Sequence, residues 1–339
     1  MLKSVFLCVL LFSILPTSGC SSLPNSSIAT NTFRDKNPEK VAKIEKIIQQ
    51  QLSRLNNSNS HQKPVLLKDY GVPIRNPFSK LPEDTKQTMI KAGIDIQAMS
   101  SYKARYMSGS LAGASALTII NADPQTILVI GTGTVTHDGI YSRGPIVAVG
   151  DVHLMDALYS KDLVWYGEAA SGGDPNIGLP IVRNSGKDKG VTFGVSPYSV
   201  KEEVAANIQL GAKKTGKALL KDNFKEVANP LKTISAEQKV RLKKRDVNVE
   251  HLANFKAVVF AGSDHEDILN DDPQTLLVIK EGWGSGNVIS AGPVISYKER
   301  IGDTQLSASM FWFASPKVSK DSISSRDDIR GMPLIVDKE

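Results

Sequence analysis

Between residues 38 and 55 the apolar positions fall at Val41, Ile44, Ile48, Leu52 and Leu55, steps of three and four that lay one stripe along a helix. Asn37 stands where an N-cap belongs, Pro38 suits the first helical position, and Glu39 suits the positive end of the dipole. "NNSNSHQKP" (56–64) closes the helix with loop formers. A stripe of only about two heptads is expected to pack on the body of the protein, in preference to a coiled coil with a second copy. "LPEDTKQTMIKAG" (81–93) predicts another helix, acidic in its first turn and ended by Gly93. Further on the period shortens. "TILVI" (126–130) and "TLLVI" (275–279) are unbroken apolar runs, as in central strands covered on both faces. "PIVAVGDVHLMD" (145–156) and "PVISYKERIGD" (293–303) alternate and predict strands with one wet face. "KDLVWYGEA" (161–169) and "TQLSASMFWFAS" (304–315) read as closing strands, and the Gly-rich "GTGTVTHDG" and "GWGSGN" as turns between strands.

These runs come in pairs. "DPQTILVI" at Asp123–Ile130 returns as "DPQTLLVI" at Asp272–Ile279. Around them Glu83–Ser110 aligns without gaps to Ala236–Ser263, matching Lys86 with Lys239, Ile94 with Val247 and Tyr102 with Phe255. Gly144-Pro145 then matches Gly292-Pro293, and Trp165 matches Trp312. The order is kept throughout, as an internal duplication requires. The expected fold is α+β, a tandem duplication of a helix plus an antiparallel β-meander. The expected parts are a leader over 1–19, a tether and amphipathic helix over 20–63, a first repeat over 64–197, a connecting basic helix over 198–230 and a second repeat over 231–339.

The connection, Val195–Val227, predicts about seven helical turns, with Ser199 as cap and Glu202 completing a capping box. Ala205, Ala212 and Gly216 mark a face that another element can approach closely. From Lys213 to Arg245 basic residues far outnumber acidic ones, and this stretch carries most of the +6 formal charge. Lys213, Lys214, Lys217, Lys221, Lys243, Lys244 and Arg245 are therefore candidates for contact with an anionic surface or envelope polymer. Phe224 is the one aromatic interleaved there, so nucleic acid is not expected. The plain reading is a solvated helix face and linker.

At 339 residues, with 41% hydrophobic and 22% charged content, the chain is long enough for two domains with packed cores. Its first residues stand apart. Lys3 supplies a positive charge, Ser4–Leu15 is a short apolar run, and Thr17–Cys20 ("TSGC") ends it with small residues before a cysteine. This resembles a bacterial lipoprotein signal, departing at Thr17, where a branched aliphatic residue is usual. The resemblance implies cleavage before Cys20 and acylation of its thiol. Cys8 would leave with the leader, so no intramolecular disulfide is expected. Ser21 and Ser22, in place of an aspartate, imply the outer membrane facing the periplasm if the host is Gram-negative.

Candidate chemistry is sparse. Ser100-Ser101-Tyr102-Lys103 fits S-x-x-K and Lys214-Thr215-Gly216 fits K-T-G, the motifs of penicillin-recognising serine enzymes. The S-x-N element is missing, the second triplet falls in a predicted helix, and Ala253 replaces Ser100 in the second repeat, so catalysis is not expected. Asp151 and His153, with His137 or Asp138, have the makings of a metal site, but Lys298 and Arg300 take the matching places later in the chain. The acidic "GSDHEDILNDD" (262–272) fits neither an EF-hand nor H-E-x-x-H. No metal or cofactor is expected.

"DPQTLLVIKEGWGSG" with Asp303 and "MFW", and "LMDALYSKDLVWYGEA" (154–169), are similar to strands in the α/β domains of curli-secretion lipoproteins and of penicillin-binding-protein activators. The resemblance covers about 50 residues of each repeat, and those chains usually carry one such domain where this one has two. It implies a non-catalytic role in assembling an envelope complex, with an envelope protein or a second copy as partner and the membrane reached through the lipid anchor.

Overall fold

The computed structural model describes residues 37–55, 64–108, 118–131, 134–136, 139–149, 152–154, 158–166, 170–171, 181–183, 191–192, 198–215, 224–260, 267–280, 287–297, 304–315, 329–330 and 333–336. Its class is α+β. The α-helices among these residues are α1 Pro38–Arg54, α2 Leu67–Tyr70, α3 Glu83–Lys91, α4 Ile96–Ser100, α5 Val200–Thr215, α6 Ala236–Lys244 and α7 Val249–Leu252.

The strands do not form the expected antiparallel meander. Within the body of each unit a strand is not hydrogen-bonded to the next one in the sequence but pairs in parallel with the one a full winding later. Leu128 pairs with Ile146, and Ile146 with Val164, a step of 18 residues each time. On the adjacent sheet Ile140 pairs with Leu158, again 18 residues on. In the second unit Leu277 pairs with Val294 and Val294 with Phe311, a step of 17. Each unit is therefore a parallel β-coil. The first winds through sheets of seven, four and three described strands, the second through sheets of six and four.

The reason lies in the corners. Three residues (143–145 and 161–163) separate Ser142 from Ile146 and Ser160 from Val164, and the turn carries the chain onto the next sheet instead of folding it back. The hydroxyls of Ser142 and Ser160 both donate to the Gly144 carbonyl oxygen at 2.8 Å, which stacks one corner on the next. Ser290 and Ser307 do the same at Gly292. A Cβ on Gly144 would lie 2.4 Å from the Thr126 carbonyl oxygen, and one on Gly292 2.2 Å from that of Thr275, so backbone passes backbone where only glycine fits.

The repeated octamers begin at the first of these corners. Buried Asn121 donates to the Thr126 carbonyl oxygen at 2.7 Å and to Ser142 Oγ at 3.0 Å. Asp123 accepts from the Gln125 amide and, at 2.7 Å, from the Thr126 hydroxyl. Asn270, Ser290, Asp272 and Thr275 repeat this framework in the second unit. A buried amide without partners costs ~1–3 kcal/mol, so these bonds hold the corner closed.

Both faces of the octamer strands are covered, as their unbroken apolar runs predict. Leu128 and Ile130 point into the first coil with Ile119, Ile140, Ile146 and Leu158. Ile127 and Val129 belong to an outer layer with Phe78, Met89, Trp165 and, from α5, Val204 and Leu210. That layer continues into the second unit through Leu269, Ile289 and Leu306. The helix α5 thus has one coil on each side. At its start the expected capping box is present, with the Glu202 amide donating to Ser199 Oγ and the Ser199 amide to the Glu202 carboxylate. Arg75 pairs with Glu202, and Tyr198 donates its hydroxyl to the Arg75 carbonyl oxygen at 2.8 Å.

The expected seven-turn helix over Val195–Val227 is corrected in its last part. Described α5 ends at Thr215, and Phe224–Val227 is a strand, antiparallel to Lys256–Phe260. Phe224 and Val227 lie on opposite faces of this strand, Phe224 against the coil interior and Val227 against the outer layer, with Lys225 and Glu226 exposed between them. Val72–Ile74 caps the first coil in the same antiparallel way, with Pro73 blunting the edge.

The helix α1 packs on the body of the protein. Ile44 and Ile48 are fully buried against Tyr141, whose ring stacks on Tyr159 one winding later with centroids 5.1 Å apart. Two such side chains contribute roughly 1.5–3 kcal/mol each. Beside them Glu45 bridges Arg143 and Lys161, both at 2.7 Å. Asn37 occupies the N-cap position, but its side chain makes no capping bond.

Candidate functional site

The second unit carries a groove of about 270 Å³ between α6 and the strands Phe311–Phe313 and Leu334–Val336. Gln238, Arg241, Leu242, Lys244 and Arg245 line it from the helix side and Trp312, Ile335 and Val336 from the strands. The helix is set by a capping box at Ser235 and Gln238 and by Asp246, whose φ of 59° ends it as Gly93 (φ 80°) ends α3. Gln238, Arg241 and Leu242 follow one another at i, i+3 and i+4, the stripe the helix turns toward its sheet, while Arg245 at the C-cap is exposed. Leu242 is only 1% exposed and Trp312 2%, so the cations stand above buried apolar surface.

The first unit places different residues at the matching positions. Thr88 stands for Arg241, Met89 for Leu242 and Ala92 for Arg245. Above Trp165 lies Phe78, ring centroids 6.0 Å apart. The counterpart of Phe78 is Leu231, fixed by the equivalent asparagines Asn76 and Asn229, which each accept from the amide two residues on. Trp312 is buried as completely as Trp165, at 2% and 0% exposure, so the leucine is compensated by other neighbours.

Of the basic residues singled out in the sequence, those described lie on two helices, Lys213 and Lys214 in α5 and Lys243, Lys244 and Arg245 at the end of α6. Lys213 donates to the Asp69 carbonyl oxygen at 2.6 Å, which ties the end of α5 to the first unit. Lys214 follows it in α5, while Cys20, Lys217 and Lys221 lie outside the described residues. Lys243, Lys244 and Arg245 are exposed at the end of α6. The helix α6 packs through Leu242 on the six-stranded sheet, whereas α5 packs on Leu269 of the four-stranded sheet of the same unit. Arg241 and Trp312 escaped the sequence reading, although the helical spacing of 238, 241, 242 and 245 was available to find them.

Other titratable groups hold the fold together. Burial pushes the Glu45 carboxyl up, but hydrogen bonds from Lys161 and Arg143 outweigh it and hold the group down at about 2. Glu202 is also held at about 2, chiefly by its hydrogen bond from Arg75. Buried Glu203 faces the Tyr106 hydroxyl at 3.5 Å, and Asn207 donates to that hydroxyl at 2.8 Å, all within the core beside α5. Ser100 ends α4 and donates its hydroxyl to the Gln97 carbonyl oxygen, while Lys103 opens the next strand. A serine nucleophile of the penicillin-recognising type stands at a helix start with its lysine one turn on. Three of the four metal candidates, His137, Asp138 and Asp151, lie outside the described residues, and of His153 only the strand Val152–Leu154 is described. Among the described residues no three His, Cys, Asp or Glu side chains gather as a metal site, and no helix is long and apolar enough to cross a membrane. No family model, curated protein or solved structure matches the chain.

Proposed function

We propose that the chain is a lipid-anchored, non-catalytic lipoprotein at the periplasmic face of the outer membrane, an accessory or scaffold in assembling an envelope complex. The supporting observation is how the coils are filled. Aliphatic side chains occupy their interiors, and the amides and hydroxyls of the corners are committed to backbone carbonyls. Chemistry is thereby left to the outer surfaces, where recognition takes place without a reacting pair. The leader and Cys20 supply the anchor, and α1 follows the tether directly onto the first coil.

Metabolic labelling with an alkyne fatty acid tests the anchor: label is expected in the natural chain and absent from Cys20→Ser. Crosslinking in membranes followed by co-purification is expected to return an envelope protein or a second copy of this chain. A fluorescent β-lactam adduct lost in Ser100→Ala would overturn the non-catalytic reading.

A further inference from the structure

We infer that two copies of the chain join through the strand Leu334–Val336, the free edge of one pairing antiparallel with the same edge of the other about a two-fold axis at Ile335. The six-stranded sheet of the second unit starts at Phe224–Val227 and ends at Leu334–Val336. Inside it the backbone ladder runs from winding to winding: Leu277 donates its amide to the Pro293 carbonyl oxygen, Val294 to that of Met310, and Phe311 to that of Pro333. Leu334 pairs with Phe311 and holds the next place in this series, so its amide and carbonyl point away from the sheet, and those of Val336 point the same way. Among the described residues no further strand receives them. Side-chain burial does not close this edge, because strand addition uses backbone groups: Ile335 and Val336 are each 5% exposed and stay packed.

The edges at which the coils start are protected. Val72–Ile74 carries Pro73, and Phe224–Val227 exposes Lys225 and Glu226. A two-fold axis through an antiparallel pair sets one residue opposite its own copy. Phe224–Val227 paired with itself would therefore set Lys225 against Lys225 or Glu226 against Glu226, which repel. Leu334–Val336 meets no such penalty. Centred on Ile335, the pairing puts Ile335 opposite the second copy's Ile335 and Leu334 opposite the second copy's Val336, aliphatic on aliphatic throughout. Leu334 and Val336 then form the hydrogen-bonded pairs, so every outward amide and carbonyl of both strands finds a partner. A contact of this kind is closed at two copies. Three residues a side make a small interface, hence a reversible dimer with Kd on the order of 10 μM. The inference deepens the second-copy partner of the scaffold reading, yet it concerns the purified chain: an unlipidated Cys20 or a missing envelope partner leaves it standing.

The test uses the purified full chain in detergent, with micelles in excess over chains, and adds Cys8→Ser and Cys20→Ser for the thiol work. Sedimentation of the natural chain should pass from monomer to dimer as its concentration rises through about 10 μM, and go no further. Ile335→Cys should give a disulfide-linked dimer on mild oxidation. Opposite residues of a non-hydrogen-bonded antiparallel pair have Cα atoms ~4.5 Å apart, within the ~4.4–6.8 Å that a disulfide spans. Lys225→Cys, on the far edge of the same sheet, should stay monomeric. Leu334→Pro removes an outward amide and leaves the ladder to Phe311–Phe313 in place, so it should weaken the dimer about tenfold or more. A natural chain that stays monomeric at about 100 μM overturns the inference. Growth beyond the dimer also overturns it, since only a head-to-tail contact continues. Crosslinking through Lys225→Cys in place of Ile335→Cys moves the contact to the other edge and overturns it as well. Oligomer size is read on the natural chain, so a poorly folding variant does not decide the matter.

Discussion

Replacing Glu45 by Gln should loosen α1 from the first coil in a pH-dependent way. The carboxylate receives Lys161 and Arg143 at 2.7 Å each, with the three side chains 17–29% exposed. Its folded pKa is lowered from 4.5 to about 2, which at ~1.36 kcal/mol per pH unit sets a ceiling of ~3.4 kcal/mol. Partial exposure screens the pair, so a loss of ~1–2 kcal/mol is the working expectation at pH 7. The sign is that of a depressed acid: the contribution is complete above about pH 4.5 and fades as pH falls through about 2. Hydrogen exchange at the α1 amides, read in the natural chain and in Glu45→Gln, isolates the local opening of this helix. Faster α1 exchange in the variant is expected at pH 7, with the two chains converging near pH 2 once intrinsic rates are corrected. A difference of the same size at both pH values would refute the ion-pair account and leave α1 held by Ile44 and Ile48 alone.

Three further outcomes follow from close contacts and strained backbone. Gly292→Ala, whose Cβ would meet the Thr275 carbonyl oxygen at 2.2 Å, should cost more than ~2 kcal/mol in urea unfolding, and Gly144→Ala should behave alike. Gly211→Ala would bring a Cβ within 2.1 Å of Leu269 Cδ1, so it should be destabilising alone and partly rescued by Leu269→Ala, a coupling of ~0.5–3 kcal/mol in a double-mutant cycle. Asp246→Gly relieves a side chain at φ 59° and should raise the melting temperature, whereas Gly93→Ala at φ 80° should lower it.

The covered strands, α3 and the α1 stripe were legible because burial on one or both faces writes itself into local periodicity. Strand direction was not. An apolar run or an alternating one is the same for parallel and antiparallel partners, and a three-residue corner spells much like a hairpin turn. The longer signal was present in "IYS" at 140–142 and "LYS" at 158–160, one winding apart, whose tyrosines stack in the fold. Of the residues that line the groove, Lys244 and Arg245 were legible from charge density in the sequence, whereas the approach of Arg241 to Trp312 depends on a strand some 70 residues further on.

The corners and the returning arcs of the coils obey different rules. Between Ser142 and Ile146, Ser160 and Val164, Ser290 and Val294, and Ser307 and Phe311 the interval is always three residues. The arcs back to the next corner vary: residues 280–287 separate one pair of strands and 314–328 another. Insertions and deletions on the arc side leave corner stacking and register untouched, so that side is free to diverge under selection. Two coils with like corners can in this way carry unlike surfaces over similar interiors.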